Sequence, residues 1–172
     1  MFSPRKRMAF HKFRRAETRL HELNYLFWEC TTRCNLNCLH CGSDCHVDTT
    51  HPDMPVEDFL RALDTIDKPA QNFIVALTGG EPLLRKDLEA VGMEIRKRGM
   101  RWGMVSNGHL YNRKRHLSLL NAGMGALTIS LDGMEESHDW LRNRPSSFAR
   151  VEQAIGLAAN SERLNFDVVT CV

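Results

Sequence analysis

The sequence predicts an α/β fold in which parallel strands are covered by helices. Short β-rich runs alternate with longer helical patterns from residue 24 to the end of the chain. The strand runs lack clean polar alternation, as strands covered on their faces by helices do. A third observation is positional: polar or glycine-rich clusters follow four of the strands, and parallel α/β folds bind ligands beyond the carboxyl ends of their strands.

Taken in order, residues 1–22 form a basic arm that reads as an amphipathic helix, with Phe13, Ala16, Leu20 and Leu23 at helical spacing. Asn24 to Cys30 (NYLFWEC) reads as the first strand. Pro55 to Ile66 reads as a helix with Val56, Phe59, Leu60 and Leu63 on one face. Phe73 to Thr78 is the second strand, closed by Gly79-Gly80, and Leu84 to Arg98 is helical, with Gly99 suited to its C-terminal cap. Arg101 to Ser106 is the third strand, followed by a helix from Asn112 to Asn121 that Gly123 ends. Ala126 to Leu131 is the fourth strand, Phe148 to Ala159 the next helix, and Asn165 to Val172 the fifth strand. Right-handed crossovers then give a doubly wound sheet or a barrel, which periodicity alone does not separate. A parallel sheet wants a covering helix after its last strand, so the chain is expected to be incomplete at its C-terminus.

Composition narrows the class of protein. The chain has 172 residues, 42% hydrophobic and 26% charged, with a formal net charge of +2. That is the profile of one ordinary soluble domain, and it excludes a disordered polymer, a collagen-like repeat and a disulfide mini-protein. No apolar run approaches the roughly 18–20 residues that span a bilayer. No apolar segment follows the basic start, so no secretory signal is expected, and a cytoplasmic setting is. Residues 1–22 carry seven Lys/Arg against two Glu, while the other 150 carry sixteen against nineteen. Such an arm suits nucleic acid or anionic lipid, but without aromatic-basic interleaving a solvated helix is the simpler reading, and no nucleic-acid partner is expected.

Cysteine usage is more informative. Five of the six cysteines, Cys30, Cys34, Cys38, Cys41 and Cys45, lie within sixteen residues. Without a secretory signal, such crowding indicates a metal site before a disulfide framework. Cys34, Cys38 and Cys41 have C-x3-C-x2-C spacing, and three thiolates on one loop can hold a cubane iron–sulfur cluster at three corners, leaving one iron open. Zinc on Cys34, Cys38, Cys41 and either Cys45 or His46 competes, although no second C-x2-C knuckle exists. A four-cysteine electron-transfer cluster recruiting Cys30 or Cys45 is a third reading, with Cys30 more simply a buried core thiol.

The other clusters fall at equivalent places on the same rim: Gly79-Gly80-Glu81-Pro82 after the second strand, Ser106-Asn107-Gly108 after the third, and Ser130-Leu131-Asp132-Gly133 at the end of the fourth. One such cluster is a turn; four in register describe a site. Met93, Met100, Met104 and Met124 read as core or packing residues, His11, His21 and His116 as surface, and His138 as capping or packing near the site.

With these motifs in order, the sequence resembles the radical S-adenosylmethionine (SAM) superfamily from Tyr25 to Val172. Its cluster signature matches Cys34, Cys38 and Cys41, with His40 in the aromatic slot before the third cysteine. The resemblance implies a partial TIM-type (βα)6 barrel, here with about five parallel strands and covering helices. It implies a [4Fe-4S] cluster and SAM as cofactors, the open iron chelated by SAM. It also implies that reductive cleavage of SAM gives a 5′-deoxyadenosyl radical that abstracts hydrogen from substrate. On it, Glu81 would accept hydrogen bonds from the SAM ammonium, and Gly79 and Gly80 would let the backbone approach the ligand. Ser106, Asn107, Ser130 and Asp132 would reach the ribose, Arg142 (with Arg150 as its rival) would pair with the SAM carboxylate, and His40 would contact the adenine. Residues 23–172 would be the core domain, lacking a sixth strand and any C-terminal domain. The wording ECTTRCNLNCLHCGSDC and SLDGMEESHDWLR is similar to the branch that carries a C-terminal SPASM domain, which implies a peptide substrate and a one-electron donor of flavodoxin or ferredoxin type. A non-catalytic metal module and an inactive truncated remnant are the alternatives.

Overall fold

The computed structural model describes residues 3–20, 23–45, 52–67 and 73–171. Its strands are β1 (Tyr25–Thr31), β2 (Ile74–Gly79), β3 (Arg101–Ser106), β4 (Met124–Ser130) and β5 (Asn165–Val169). They form one sheet in the order β1-β2-β3-β4-β5, and every neighbouring pair is parallel. The helices are α1 (Pro4–Leu20), α2 (Val56–Leu63), α3 (Leu88–Lys97), α4 (Arg113–Asn121), α5 (Glu135–Leu141) and α6 (Ser147–Ala159). Strand order resolves the choice that periodicity left open. A doubly wound sheet reverses its strand order at a switch point; this one runs on in sequence, as a barrel does, and stops before closing. The architecture is an open, partial (βα) barrel.

One face of the sheet packs against helices. Trp28, Val75, Leu77, Trp102, Leu127 and Ile129 from the strands are buried, against Phe59 and Leu63 of α2, Val91 and Ile95 of α3, Leu119 of α4 and Val151 of α6. Trp28 stacks on Phe59 with ring centroids 3.7 Å apart, and the Arg85 guanidinium lies 5.0 Å from the Trp28 ring. The other face lines the open barrel, which is why Tyr25 and Phe27 are 63% and 64% exposed while their neighbour Trp28 is buried. The strands therefore differ between their faces more than their apolar composition suggests. All the described side chains of α1 are exposed, including Phe13.

Four expectations change. The single helix foreseen over Leu84 to Arg98 is a 3-10 turn (Pro82–Leu84) followed by α3. Between them Arg85 turns inward, donating to the Cys30 carbonyl at 2.6 Å and pairing with Asp87 at 2.7 Å. Helix α5 was not foreseen; it is only seven residues long, and its signal is the acidic first turn of Glu135 and Glu136. Met93 is 47% exposed rather than packed. His116 is buried rather than surface, because its Nδ1 meets the Tyr111 hydroxyl at 2.7 Å and its ring packs edge-on against that tyrosine. Met100, Met104 and Met124 are buried, as is Cys30. His21 and the end of the fifth strand at Val172 lie outside the described residues.

Candidate functional site at the carboxyl rim

The cysteine loop begins where β1 ends, and the neighbouring elements hold it in four places. The first is the end of β2, where the Gly80 N–H donates to the Thr31 carbonyl and the Glu81 N–H to the Arg33 carbonyl, both at 2.8 Å. A Cβ on Gly79 would overlap the Thr31 carbonyl oxygen, and one on Gly80 the Arg33 carbonyl oxygen; Gly79 also has φ +117°. The pair of glycines is thus needed for two chain segments to meet, besides any approach to a ligand. The second hold is Asp53, which accepts from Thr31 Oγ1 at 2.7 Å and pairs with Arg33. Burial raises its carboxyl pKa, but the hydrogen bonds from Arg33 and Thr31 outweigh this and hold it below the usual range.

The third hold comes from β3: Asn107 Nδ2 donates to Asn35 Oδ1 at 2.9 Å and lies 3.7 Å from Cys34 Sγ. The fourth comes from α5, whose Leu141 carbonyl accepts from the Leu39 N–H at 2.9 Å, while Arg142 Nη1 stands 3.6 Å from Cys38 Sγ.

These holds shape a cavity of about 250 Å³. Cys34, Cys38, His40 and Cys41 line it from the loop; Gly79 and Gly80, Ser106 and Asn107, Ser130 and Arg142 line it from the rim. Ten of the twelve expected site residues therefore meet at one place, and Glu81 and Asp132 lie behind its wall. Arg150 borders a different cavity, with His109 and Tyr111. Cys30 is in the main core, on the helix side of the sheet.

Glu81 is enclosed. Its side chain is fully buried, and its carboxylate accepts from the Leu83 N–H at 3.0 Å, the Asn107 N–H at 2.8 Å and Ser106 Oγ at 3.0 Å. Through those donors the carboxylate ties β2 to β3. Burial pushes its pKa up, and the hydrogen bonds oppose that shift. Ser106 and Asn107 are likewise engaged within the chain, since the Gly108 and His109 N–H groups donate to Ser106 Oγ and Asn107 Oδ1.

Asp132 is also inward, its side chain 2% exposed and 2.7 Å from Arg142 Nη2. It accepts from the Cys171 N–H at 3.0 Å, and its own N–H donates to His138 Nδ1 at 3.1 Å. His40 Nε2 approaches the same carboxylate at 3.7 Å. Arg142 keeps one buried nitrogen, Nε, that lacks a hydrogen-bond partner among the described residues.

Residues that the sequence did not single out include Asn35, Asp53 and Arg85, which hold the loop and the strand beneath it. Cys45 also lines the cavity, and burial pushes its thiol up to about 11. The Cys34 thiol is likewise raised by burial. Among the described residues no three His, Cys, Asp or Glu side chains converge on a single-ion site. His46, a zinc candidate, lies outside those residues. Three free thiols spread along one loop around one cavity are a donor set suited to a cluster, and Arg142, which lines the same cavity, adds a cation to its wall.

An open parallel barrel with a thiol-lined cavity at its carboxyl rim defines an α/β barrel protein with a rim site. Residues 28–170 match the family model of the radical SAM superfamily, and the chain belongs to that superfamily. Members of the family use a [4Fe-4S] cluster and SAM. The chain is 31% identical over 121 residues to Fe-coproporphyrin III synthase of Methanosarcina barkeri, covering 70% of this chain and 30% of that protein. It is 29% identical over 146 residues to AdoMet-dependent heme synthase of Nitratidesulfovibrio vulgaris, covering 84% and 39%. It thus spans about a third of the length of these curated relatives, which are enzymes by name. In fold it is similar to Streptococcus suis SuiB bound to S-adenosylmethionine, with TM-score 0.64 and 15% identity over 98% of this chain and 40% of that one. SuiB has also been solved with its precursor peptide SuiA.

Proposed function

We propose that residues 23–172 form the core of a radical SAM enzyme, with residues 1–22 as an appended basic arm. The observation that carries this is the convergence of Cys34, Cys38 and Cys41 with the ends of β2, β3 and β4 on one cavity. In this reading the three cysteines would hold a [4Fe-4S] cluster, and the rim residues of the same cavity would hold SAM. When bound, that pair supplies reductive cleavage of SAM and with it hydrogen-atom abstraction from a substrate. The chain's own groups bind and orient. Arg142, a cation lining the cavity, would pair with the ligand carboxylate, a charge-assisted contact. Gly79 and Gly80 present backbone without side chains, Ser130 and His40 face the nucleoside end, and Glu81 fixes Ser106 and Asn107 in place from behind. Asp132 acts through Arg142 rather than on the ribose.

The substrate proposed is a peptide. The similarity of the SLDGMEESHDWLR segment to the SPASM branch supports this, and SuiB, of similar fold, was solved with a peptide. The names of the curated relatives favour a tetrapyrrole as the second reading. A one-electron donor of flavodoxin or ferredoxin type would serve either, in a cytoplasmic setting that keeps the thiols reduced. No helix among the described residues is long and apolar enough to cross a membrane.

The test is anaerobic reconstitution with iron and sulfide analysis, then EPR of the reduced protein with and without SAM. A cubane signal that SAM alters, with 5′-deoxyadenosine formed, is the expected result. Zinc without sulfide, or a cluster indifferent to SAM, would defeat the reading.

A further inference from the structure

We propose that Arg142 is an electrostatic positioning residue for the Cys38 sulfur, and that Asp132 sets how much of its charge the sulfur feels. This rests on the reading of Cys38 as a cluster ligand. Arg142 Nη1 is 3.6 Å from Cys38 Sγ, and Nη2 is 2.7 Å from Asp132 Oδ2. The Arg142 and Asp132 side chains are 10% and 2% exposed. One permanent cation is therefore shared between a carboxylate and a thiol with little water to screen it. A guanidinium cannot shed its charge to relieve burial, and it acts more strongly here than it would in solvent.

The arrangement is anchored at both ends. Arg142 is the C-terminal capping residue of α5, and the preceding Leu141 carbonyl accepts the Leu39 N–H, which fixes the cysteine loop against the guanidinium. On the other side the Asp132 N–H donates to His138 Nδ1. Nε2 of that ring therefore carries the proton and donates to Ser147 Oγ at 3.3 Å. His138 is fully buried, so this ring tautomer is enclosed between β4 and α6.

A cluster that takes up one electron gains negative charge, and hydrogen bonds to its sulfurs are among the levers that set its potential. The Arg142 charge stabilises the reduced form and raises the potential, and Asp132 moderates that rise. The same pair could instead be only a strut between α5 and the loop. The two roles separate by sign: a strut broken from either partner gives the same loosened loop, whereas charge deletion from the two partners moves the potential in opposite directions.

The experiment uses the anaerobically reconstituted chain and its Arg142→Lys, Arg142→Gln and Asp132→Asn variants. Iron and sulfide are counted first, and dithionite titrations are then followed by EPR without SAM. The expected result is a more negative midpoint in Arg142→Gln, a near-native one in Arg142→Lys and a more positive one in Asp132→Asn. Shifts of the same sign in Arg142→Gln and Asp132→Asn, or no shift in any variant, would overturn the inference. If Arg142→Gln retains no cluster, the comparison of Asp132→Asn with wild type decides, Arg142→Lys being the control that keeps the charge. An upward shift there supports the inference, and none or a downward one overturns it. Wild-type protein without iron and sulfide would defeat the cluster reading itself, and this inference with it.

Discussion

Cys34, Cys38 and Cys41 should each be indispensable for the cluster, and Cys30 and Cys45 should not. Single Ala substitutions at the first three are expected to abolish stoichiometric iron and sulfide, while Cys45→Ala retains them; metal and acid-labile sulfide analysis distinguishes the sets. Glu81 makes a different residue-scale prediction. Its carboxylate receives donors from Leu83, Ser106 and Asn107 in a fully buried site. Glu81→Gln places a donor among donors and is expected to cost about 1–3 kcal/mol, read as a lowered Tm. The histidines give a pH dependence. Burial lowers the pKa of His116 and His138 below the ordinary value of about 6.5. Below that pH the unfolded chain takes up protons that the fold excludes, so stability is full above it and falls as the pH drops through it. Thermal melts at acidic and neutral pH should show this loss, and it should be smaller in His116→Phe.

At the scale of elements, two glycine sites decide opposite intuitions. Gly80→Ala drives a Cβ into the Arg33 carbonyl where β2 meets the cysteine loop. The expected outcome is a loss of about 1–3 kcal/mol together with weakened cluster binding, checked by Tm and iron content. Gly92 is inside α3, where Gly→Ala would ordinarily gain about 0.5–1 kcal/mol. Here the new Cβ would overlap the ring of Trp102, which is fully buried and cannot yield. Overpacking of about 1–3 kcal/mol outweighs the helix gain, so Gly92→Ala is expected to lower the Tm. Neither effect was legible in the chain, because a glycine's neighbour across the fold is not written next to it. The division at Arg85 of the helix foreseen over Leu84 to Arg98 escaped for the same reason: its partners, Cys30 and Met54, are remote in sequence.

For the molecule as a whole, the consequential feature is the open inner face of the barrel. Tyr25 and Phe27, with ring centroids 6.3 Å apart, present a stacked aromatic pair there, and Val168 and Val169 on β5 are also exposed. Exposed apolar patches and open strand edges promote association. The chain on its own should therefore show scattering that rises with concentration. Phe27→Glu should reduce it while changing stability by no more than about 0.5 kcal/mol. Equal association in that variant would place the contact elsewhere. The five-strand register explains why the rim site was legible: in a parallel sheet wound in sequence, the segments following β1 to β4 all emerge at one end.

The sequence by itself determined the alternation of strands and helices, the thiol spacing and the four clusters that reach the rim, because each is written in residues close together along the chain. Periodicity left a doubly wound sheet and a barrel open; the family resemblance implied the barrel, and the strand order of the tertiary structure bears it out, since that is a matter of which strands lie side by side. The tertiary structure alone turned Glu81 and Asp132 away from the cavity, buried His116 beneath Tyr111, and set Arg142 between a carboxylate and a thiol. Glu81 meets Ser106 from 25 residues away, and Arg142 meets Cys38 from 104 residues away. The physical reason is that a side chain's type limits what it can bond to, while the choice among available partners is made by packing, and packing belongs to the whole fold.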